Sequence, residues 1–169
     1  NQGKAPFFEP SLSEKMQRNL ESGRLTFTAS LSDAISGAAI IFSAVGTPPK
    51  ENGEADLQYV FQVLDSVIQS VKEQTDGLQR ILITKSTVPV GTGDTIKQRI
   101  QEAGLTEDQL LNASNPEFLR EGSAVHDFFH PDRIVLGAYN DSALATLSKL
   151  YAPICRTNVP IVKTDIQTA

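Results

Sequence analysis

Three short apolar runs constrain this chain more than any other feature. They are "AAIIFSAV" (residues 38–45), "RILITK" (80–85) and "QLLNAS" (109–114), and each leads straight into a stretch rich in glycine, proline, serine or threonine. Between them lie segments with helical spacing. Leu57, Val60, Phe61, Leu64, Ile68 and Val71 define one helix face, and Ile96 with Ile100 marks another. Further on, "RIVLGA" and "PIVKT" read as strands, and Leu144, Leu147 and Tyr151 as a helix face after an Asn140-Asp141 cap. Strands that alternate with helices predict an α/β fold with a parallel sheet and helices on both faces. "AAIIFSAV" suits a strand buried on both faces. Upstream, "SLSE" predicts a capping box, with Ser11 and Glu14 closing the start of a helix that Gly23 ends. "SLSDAISGA" reads as a short second helix.

Bulk composition narrows the classes of function. The 169 residues suffice for one domain with a real core. With 40% hydrophobic and 21% charged residues, the chain is neither disordered nor of low complexity. A net charge of -5 argues against a nucleic-acid partner. No apolar run approaches the roughly 18 residues of a membrane span. The single cysteine, Cys155, cannot form an internal disulfide, and a reducing, cytoplasmic setting fits. There is no signal-peptide pattern, no initiator methionine, and both ends look cut, which predicts a segment of a longer protein.

In a parallel sheet, the segments that follow the first three strands lie on one edge, where open α/β sheets bind ligands. The first is "GTPPKENGEAD". Gly46 lets a flat group approach the backbone, Thr47 offers a hydroxyl, and Pro48-Pro49 stiffen the turn. The second is "KSTVPVGTGD". Ser86 and Thr87 offer hydroxyls, Pro89 prevents the strand from continuing, and Gly91 and Gly93 precede a helix. The third is "SNPEFLREGSAVHDFFHPDR". Asn115-Pro116 forces an extended exit. Glu117 at the strand tip is a candidate acid or base, and Phe118 and Leu119 supply an apolar wall that can desolvate it. Arg120 can pair with phosphate or carboxylate, and Glu121 shares a face with Glu117 on one helical turn. Ordinary βα turns use these residue types too, and a carboxylate pair alone is more often a solvated surface. His126 and His130 lack the companions of a metal site, Cys155 lacks an activating partner, and "VGTGDT" lacks the Gly-Lys-Ser/Thr ending of a phosphate loop.

"EPSL", "VGTPPKENGEADLQYV", "KSTVPVGTGD", "SNPEFLREGSAVHDFFHPDRIVLG" and "LYAPI…PIVKTDIQTA" stand in the order and spacing of one family. Over nearly its whole length the chain resembles the nucleotide-sugar dehydrogenases, and its motifs look more like the UDP-glucose branch than the GDP-mannose branch. The resemblance implies a Rossmann-like NAD-binding domain and oxidation of UDP-glucose to UDP-glucuronate with two NAD molecules, through a cysteine-bound thiohemiacetal and thioester. It implies that Val45, Gly46, Thr47 and Pro48 line the NAD site, with Ser86 and Thr87 beside the nicotinamide. Thr87 would help hold a catalytic water, and Glu117 would be the acid/base carboxylate of thioester hydrolysis. Residues Glu117, Phe118, Leu119, Arg120 and Glu121 would contact the UDP-sugar, and Glu121 would also approach NAD. No metal is implied, and the full-length protein would be a homo-oligomer.

The family's first βαβ unit, with its GxGxxG turn, has no counterpart in this sequence, nor do its nucleophilic cysteine and its catalytic lysine and asparagine. The expectation is that these 169 residues alone are inactive and bind NAD weakly. Two other readings stay open: a non-catalytic binding or assembly module with the same fold, and a dehydrogenase for GDP-mannose, another nucleotide sugar or a 2-hydroxy acid.

Overall fold

A computed structural model describes residues 5–155 and 159–169. The chain forms two compact units. One takes the described part of Asn1–Ala29 with Phe118–Asp132, and the other takes Ser30–Glu117 with Arg133–Ala169.

The larger unit is a five-stranded sheet in the order β1-β2-β3-β4-β5, with β1 Ile40–Ser43, β2 Arg80–Thr84, β3 Leu110–Ser114, β4 Ile134–Ala138 and β5 Ile161–Thr164. Its helices are α2 Leu31–Ile35, α3 Gln58–Glu73, α4 Thr92–Glu102 and α6 Asp141–Tyr151. The side-chain period of two sends successive residues of a strand to opposite faces. On β2, Leu82 joins Val60, Leu64, Val67, Ile96 and Ile100 in one core, while Ile81 and Ile83 join Leu136, Ala143 and Leu147 in a second. Helices α3 and α4 thus cover one face and α6 the other, which is why all five residues of β2 are buried.

The expected all-parallel sheet needs one correction. Strands β1, β2 and β3 are parallel and β4 is parallel to β5, but β4 runs antiparallel to β3. The cause lies in the connection. A parallel crossover needs a helix that packs back across the sheet, and the helix between β3 and β4 buries no residue on any face. The chain instead re-enters at the edge it left, and β4 overlaps β3 only at Ala113–Ala138 and Ser114–Gly137.

A second correction concerns β1, which is not buried on both faces. It is an edge strand, and Phe42 is 42% exposed. Gly137 allows close packing at the other end of the sheet, because a side chain there would meet the Asp165 carbonyl oxygen at 2.7 Å and the Ala169 methyl.

The smaller unit holds α1 Leu12–Glu21 and α5 Ala124–Phe129. Ser11 caps α1 in the left-handed conformation and its side chain makes no capping bond, so the predicted capping box does not form. With φ at 60°, the Ser11 backbone is turned away from the extended geometry that such a cap requires. Gly23, at φ 69°, follows the helix as expected. The Ser30 hydroxyl caps α2 through the Asp33 amide, and Asn140 caps α6 through Ala143. Among the described residues no helix is long and apolar enough to cross a membrane.

Candidate functional site

The carboxyl ends of β1, β2 and β3 lie on one edge because these strands are parallel and in register, with Ser43 beside Thr84 and Thr84 beside Ser114. The segments beyond them are tied together. The Ser86 hydroxyl donates to the Val45 carbonyl at 2.6 Å, and the Thr47 hydroxyl donates to the Thr87 carbonyl at 2.9 Å. Two of the four candidate hydroxyl and carbonyl positions on the first loop thus brace it against the second. Gly46 is exposed, with open space where a side chain would stand. The Pro48 carbonyl accepts the Asp56 amide at 2.8 Å, and Pro49 bridges Ala55, so the loop after β1 folds on itself. Thr87 is exposed beside these bonds.

Asn115 is the node of the third segment. It is 2% exposed, and its backbone amide donates to the Thr84 carbonyl at 3.0 Å, which carries the β2–β3 ladder one residue further. Its Nδ2 donates to the Val135 carbonyl of β4 at 2.8 Å. Its Oδ1 accepts from Lys85 Nζ at 3.1 Å and from the Tyr151 hydroxyl of α6. Glu117 follows after Pro116 and is exposed. Burial pushes the Lys85 ammonium below its ordinary value of 10.5, and the Glu117 carboxylate acts in the other direction. From the sequence, Asn115 stands out only for the proline after it and Tyr151 only as part of a helix face, and Lys85 has no place in the site. A lysine standing at the end of an otherwise buried apolar strand was the available signal for Lys85.

Several finer expectations do not hold. Residues 115–120 are not helical, so Glu117 and Glu121 share no helical face. The Asn115-Pro116 pair excludes the α conformation at the start, as expected. Glu117, Phe118 and Leu119 are all exposed, the last two at 54% and 38%, so the apolar wall does not enclose the carboxylate. Gly93 lies inside the first turn of α4 instead of before it, and a side chain there would meet Ile166 at 2.9 Å. It serves helix packing. Gly91 takes the N-cap position with φ 89°.

In the smaller unit, Arg120 and Glu121 are exposed. Arg120 is already engaged: its Nε and Nη2 donate to the two Asp127 carboxylate oxygens at 3.0 and 2.8 Å. Asp127 also accepts the Arg120 amide and the Ser123 hydroxyl, each at 3.1 Å. These contacts hold its carboxyl well below the ordinary 3.8, the Arg120 side-chain bond contributing most. A lowered carboxyl value adds stability that is present above 3.8 and lost as pH falls through the lowered value. Asp127→Asn is therefore expected to loosen the turn after Arg120 at neutral pH, where trypsin cleaves after Arg120 faster than in the unaltered protein. The same acceleration appears in the unaltered protein only in acid, as read by an acid-tolerant protease such as pepsin. Equal trypsin rates for both proteins at neutral pH would remove the role given to this ion pair.

Glu9, from "EPSL", is 8% exposed and accepts the Gly122 and Val125 amides at 2.9 and 3.3 Å. The sequence reading missed it, although a carboxylate just before a helix and a proline is a recognisable sign. His126 and His130 stack with centroids 4.5 Å apart. Among the described residues no three His, Cys, Asp or Glu side chains gather as a metal site. Cys155 is a half-buried free thiol.

A braced pair of loops after the first two parallel strands, beside a carboxylate at the third, is the edge where α/β folds hold dinucleotides. The chain belongs to the UDP-glucose/GDP-mannose dehydrogenase family, whose NAD-binding domain matches residues 1–155. It is 44% identical over 167 residues to a UDP-glucose 6-dehydrogenase of Bacillus subtilis, covering 99% of this chain and 36% of that relative. The structure of a UDP-glucose dehydrogenase from Pyrobaculum islandicum superposes with a TM-score of 0.87 at 38% identity, covering 98% of this chain and 37% of that one. A GDP-mannose dehydrogenase from Pseudomonas aeruginosa superposes with a TM-score of 0.90 at 28% identity, over 99% and 38%. The chain thus spans little more than a third of the length of these relatives.

Proposed function

We propose that this chain is the later part of the NAD-binding domain of a nucleotide-sugar dehydrogenase that oxidises UDP-glucose to UDP-glucuronate. The observation that carries this reading is the set of bonds joining three strand tips: Ser86 to Val45, Thr47 to Thr87, and Lys85 to Asn115. The residues present fit the nicotinamide end of NAD. Gly46 is open to a flat ring, and Val45, Thr47, Pro48, Ser86 and Thr87 form two braced walls beside it. No G-x-G-x-x-G occurs in these 169 residues, so they offer no match for the pyrophosphate end. β1 pairs only with β2 among the described residues, which leaves an edge where strands carrying such a turn can add. When bound, NAD supplies the acceptor for hydride from the sugar carbon.

This chain's own residues then have distinct tasks. Val45, Gly46, Thr47 and Pro48 shape one side of the cofactor site, and Ser86 fixes their distance from the second loop. Thr87 positions a water, and Glu117 exchanges a proton with it during hydrolysis of a thioester formed on a cysteine outside these residues. Phe118, Leu119, Arg120 and Glu121 face the UDP-sugar, with Glu121 also near NAD. For Arg120 to meet a phosphate it must share or leave Asp127.

The whole enzyme that contains this chain is expected to release two NADH per UDP-glucose consumed, and none from GDP-mannose. The high TM-score of the GDP-mannose enzyme favours that sugar as the second reading, and NADH from GDP-mannose alone would establish it. NADH from neither sugar would leave a dehydrogenase for another nucleotide sugar or a 2-hydroxy acid, or a binding or assembly module.

A further inference from the structure

We propose that Glu9 is a positioning residue for the nucleotide sugar. From just before α1 it holds the turn of Arg120 and Glu121 in shape by accepting the Gly122 and Val125 amides. The proposal deepens the reading of residues 118–121 as the sugar-facing stretch and rests on it. That reading gives Glu9 no task.

The turn itself creates the need. The Ser123 amide donates to the Arg120 carbonyl at 3.1 Å, and Gly122 stands at the third position with φ 81°. A type II turn asks for such a value, and glycine meets it without strain. Inside such a turn the amide of the third residue has no acceptor. α5 follows at once, and the first amides of a helix also lack partners within it. Ser123 stands at the cap position, yet its hydroxyl donates to Asp127 at 3.1 Å and caps no amide. Glu9 supplies what is missing on both counts. One carboxylate oxygen accepts the Gly122 amide at 2.9 Å and the other accepts the Val125 amide at 3.3 Å, across 113 and 116 residues of chain.

No buried apolar side chain does this instead. Among the described residues of the smaller unit Glu9 is the only buried one, at 8% exposure. Neither α1 nor α5 buries a residue. The shape of the turn therefore leans on polar ties. Asp127 grips Arg120 on one side, and Glu9 grips the amides that follow Glu121 on the other. Glu9 is itself held. Pro10 disfavours helical backbone at Glu9, and the Glu9 carbonyl accepts the Leu12 amide at 3.2 Å. Removing the carboxylate leaves two backbone donors without an acceptor, which costs more than the bonds themselves are worth. Being buried, Glu9 acts through the backbone of the turn.

The test uses the whole enzyme. Glu9→Ala removes both acceptors. Glu9→Gln keeps the size and one acceptor oxygen but sets a donor against a donor. KM for UDP-glucose is expected to rise about tenfold in Glu9→Ala and about threefold in Glu9→Gln, which decides the matter should Glu9→Ala not fold. KM for NAD and kcat at saturating sugar should change little. A loss of folded enzyme would instead lower kcat and leave both KM values in place. Hydrogen exchange needs no turnover. Amides of residues 121–125 should exchange about tenfold faster in Glu9→Ala, with β2 and β3 unchanged. Equal exchange overturns the proposal, and so does an unmoved KM for UDP-glucose. Arg120→Ala and Glu121→Gln then show how far the failure reaches. If either raises KM for UDP-glucose, the sugar-facing reading stands and only the role of Glu9 falls. If neither does, that reading falls with it.

Discussion

Glu117→Gln in the whole enzyme is expected to lower steady-state NADH formation by about 10²- to 10⁴-fold, the usual weight of a positioned acid or base. The amide keeps the size of the side chain and loses its ability to exchange a proton. Because Glu117 is exposed and lies beyond the last residue of β3, the substitution disturbs no core packing. The fold should therefore survive, and binding of NAD, assigned to the two braced loops, should change little. In rapid mixing, a first burst of NADH should remain while the following steady state collapses, since the carboxylate is assigned to hydrolysis and not to hydride transfer. Loss of burst and steady state together would move Glu117 to an earlier step. An unchanged steady state would remove it from the chemistry.

The second large effect is on stability. Leu147 on α6 is fully buried and packs with Ile81, Ile83, Leu136 and Tyr151. Leu147→Ala is expected to cost about 2–5 kcal/mol, the transfer of the lost methyl groups plus the cavity left behind. Urea denaturation should show a lower midpoint with an unchanged slope. The loss should reach the candidate site as well, because Tyr151 leaves the same helix to hold Asn115. A loss under about 1 kcal/mol would mean that α6 closes down on the gap.

Much of this architecture was legible in the sequence because its signals are local. The spacing of Val60, Leu64, Ile68 and Val71 marks α3, and all four are buried. "RILIT" is apolar at consecutive positions, and its residues divide between two cores. Asn140 caps α6 as its position suggested. Strand direction was not legible. Whether β4 enters parallel or antiparallel depends on whether the intervening helix packs on the sheet, and "AVHDFF" contains enough apolar residues to suggest either. The edge position of β1 was hidden for a similar reason, since "IIFS" resembles a central strand and only the pairing order shows otherwise.

For the site, the residue types were readable and their partners were not. Ser86 and Thr47 could be seen as hydroxyls at strand ends. That each would bond a carbonyl of the opposite loop, about 40 residues away, follows from the register of β1 and β2. Arg120 reads in the sequence as a partner for phosphate or carboxylate, and that the carboxylate is Asp127, seven residues distant, is set by the turn between them. Lys85 carries a signal in the apolar strand before it, but its bond to the Asn115 side chain, 30 residues on, is not readable from the sequence.

The antiparallel entry of β4 has a further consequence. Residues 115–133 leave and rejoin the sheet on neighbouring strands at the same edge, and the Asn115–Val135 bond at 2.8 Å ties the neck of this excursion. Doubling the length of such a loop costs only about 0.6 kcal/mol in closure entropy. The segment can lengthen, shorten or change its side chains without shifting the register of β1 and β2. Across a lineage this segment can then be exchanged while the paired strands that carry the first two loops keep their frame.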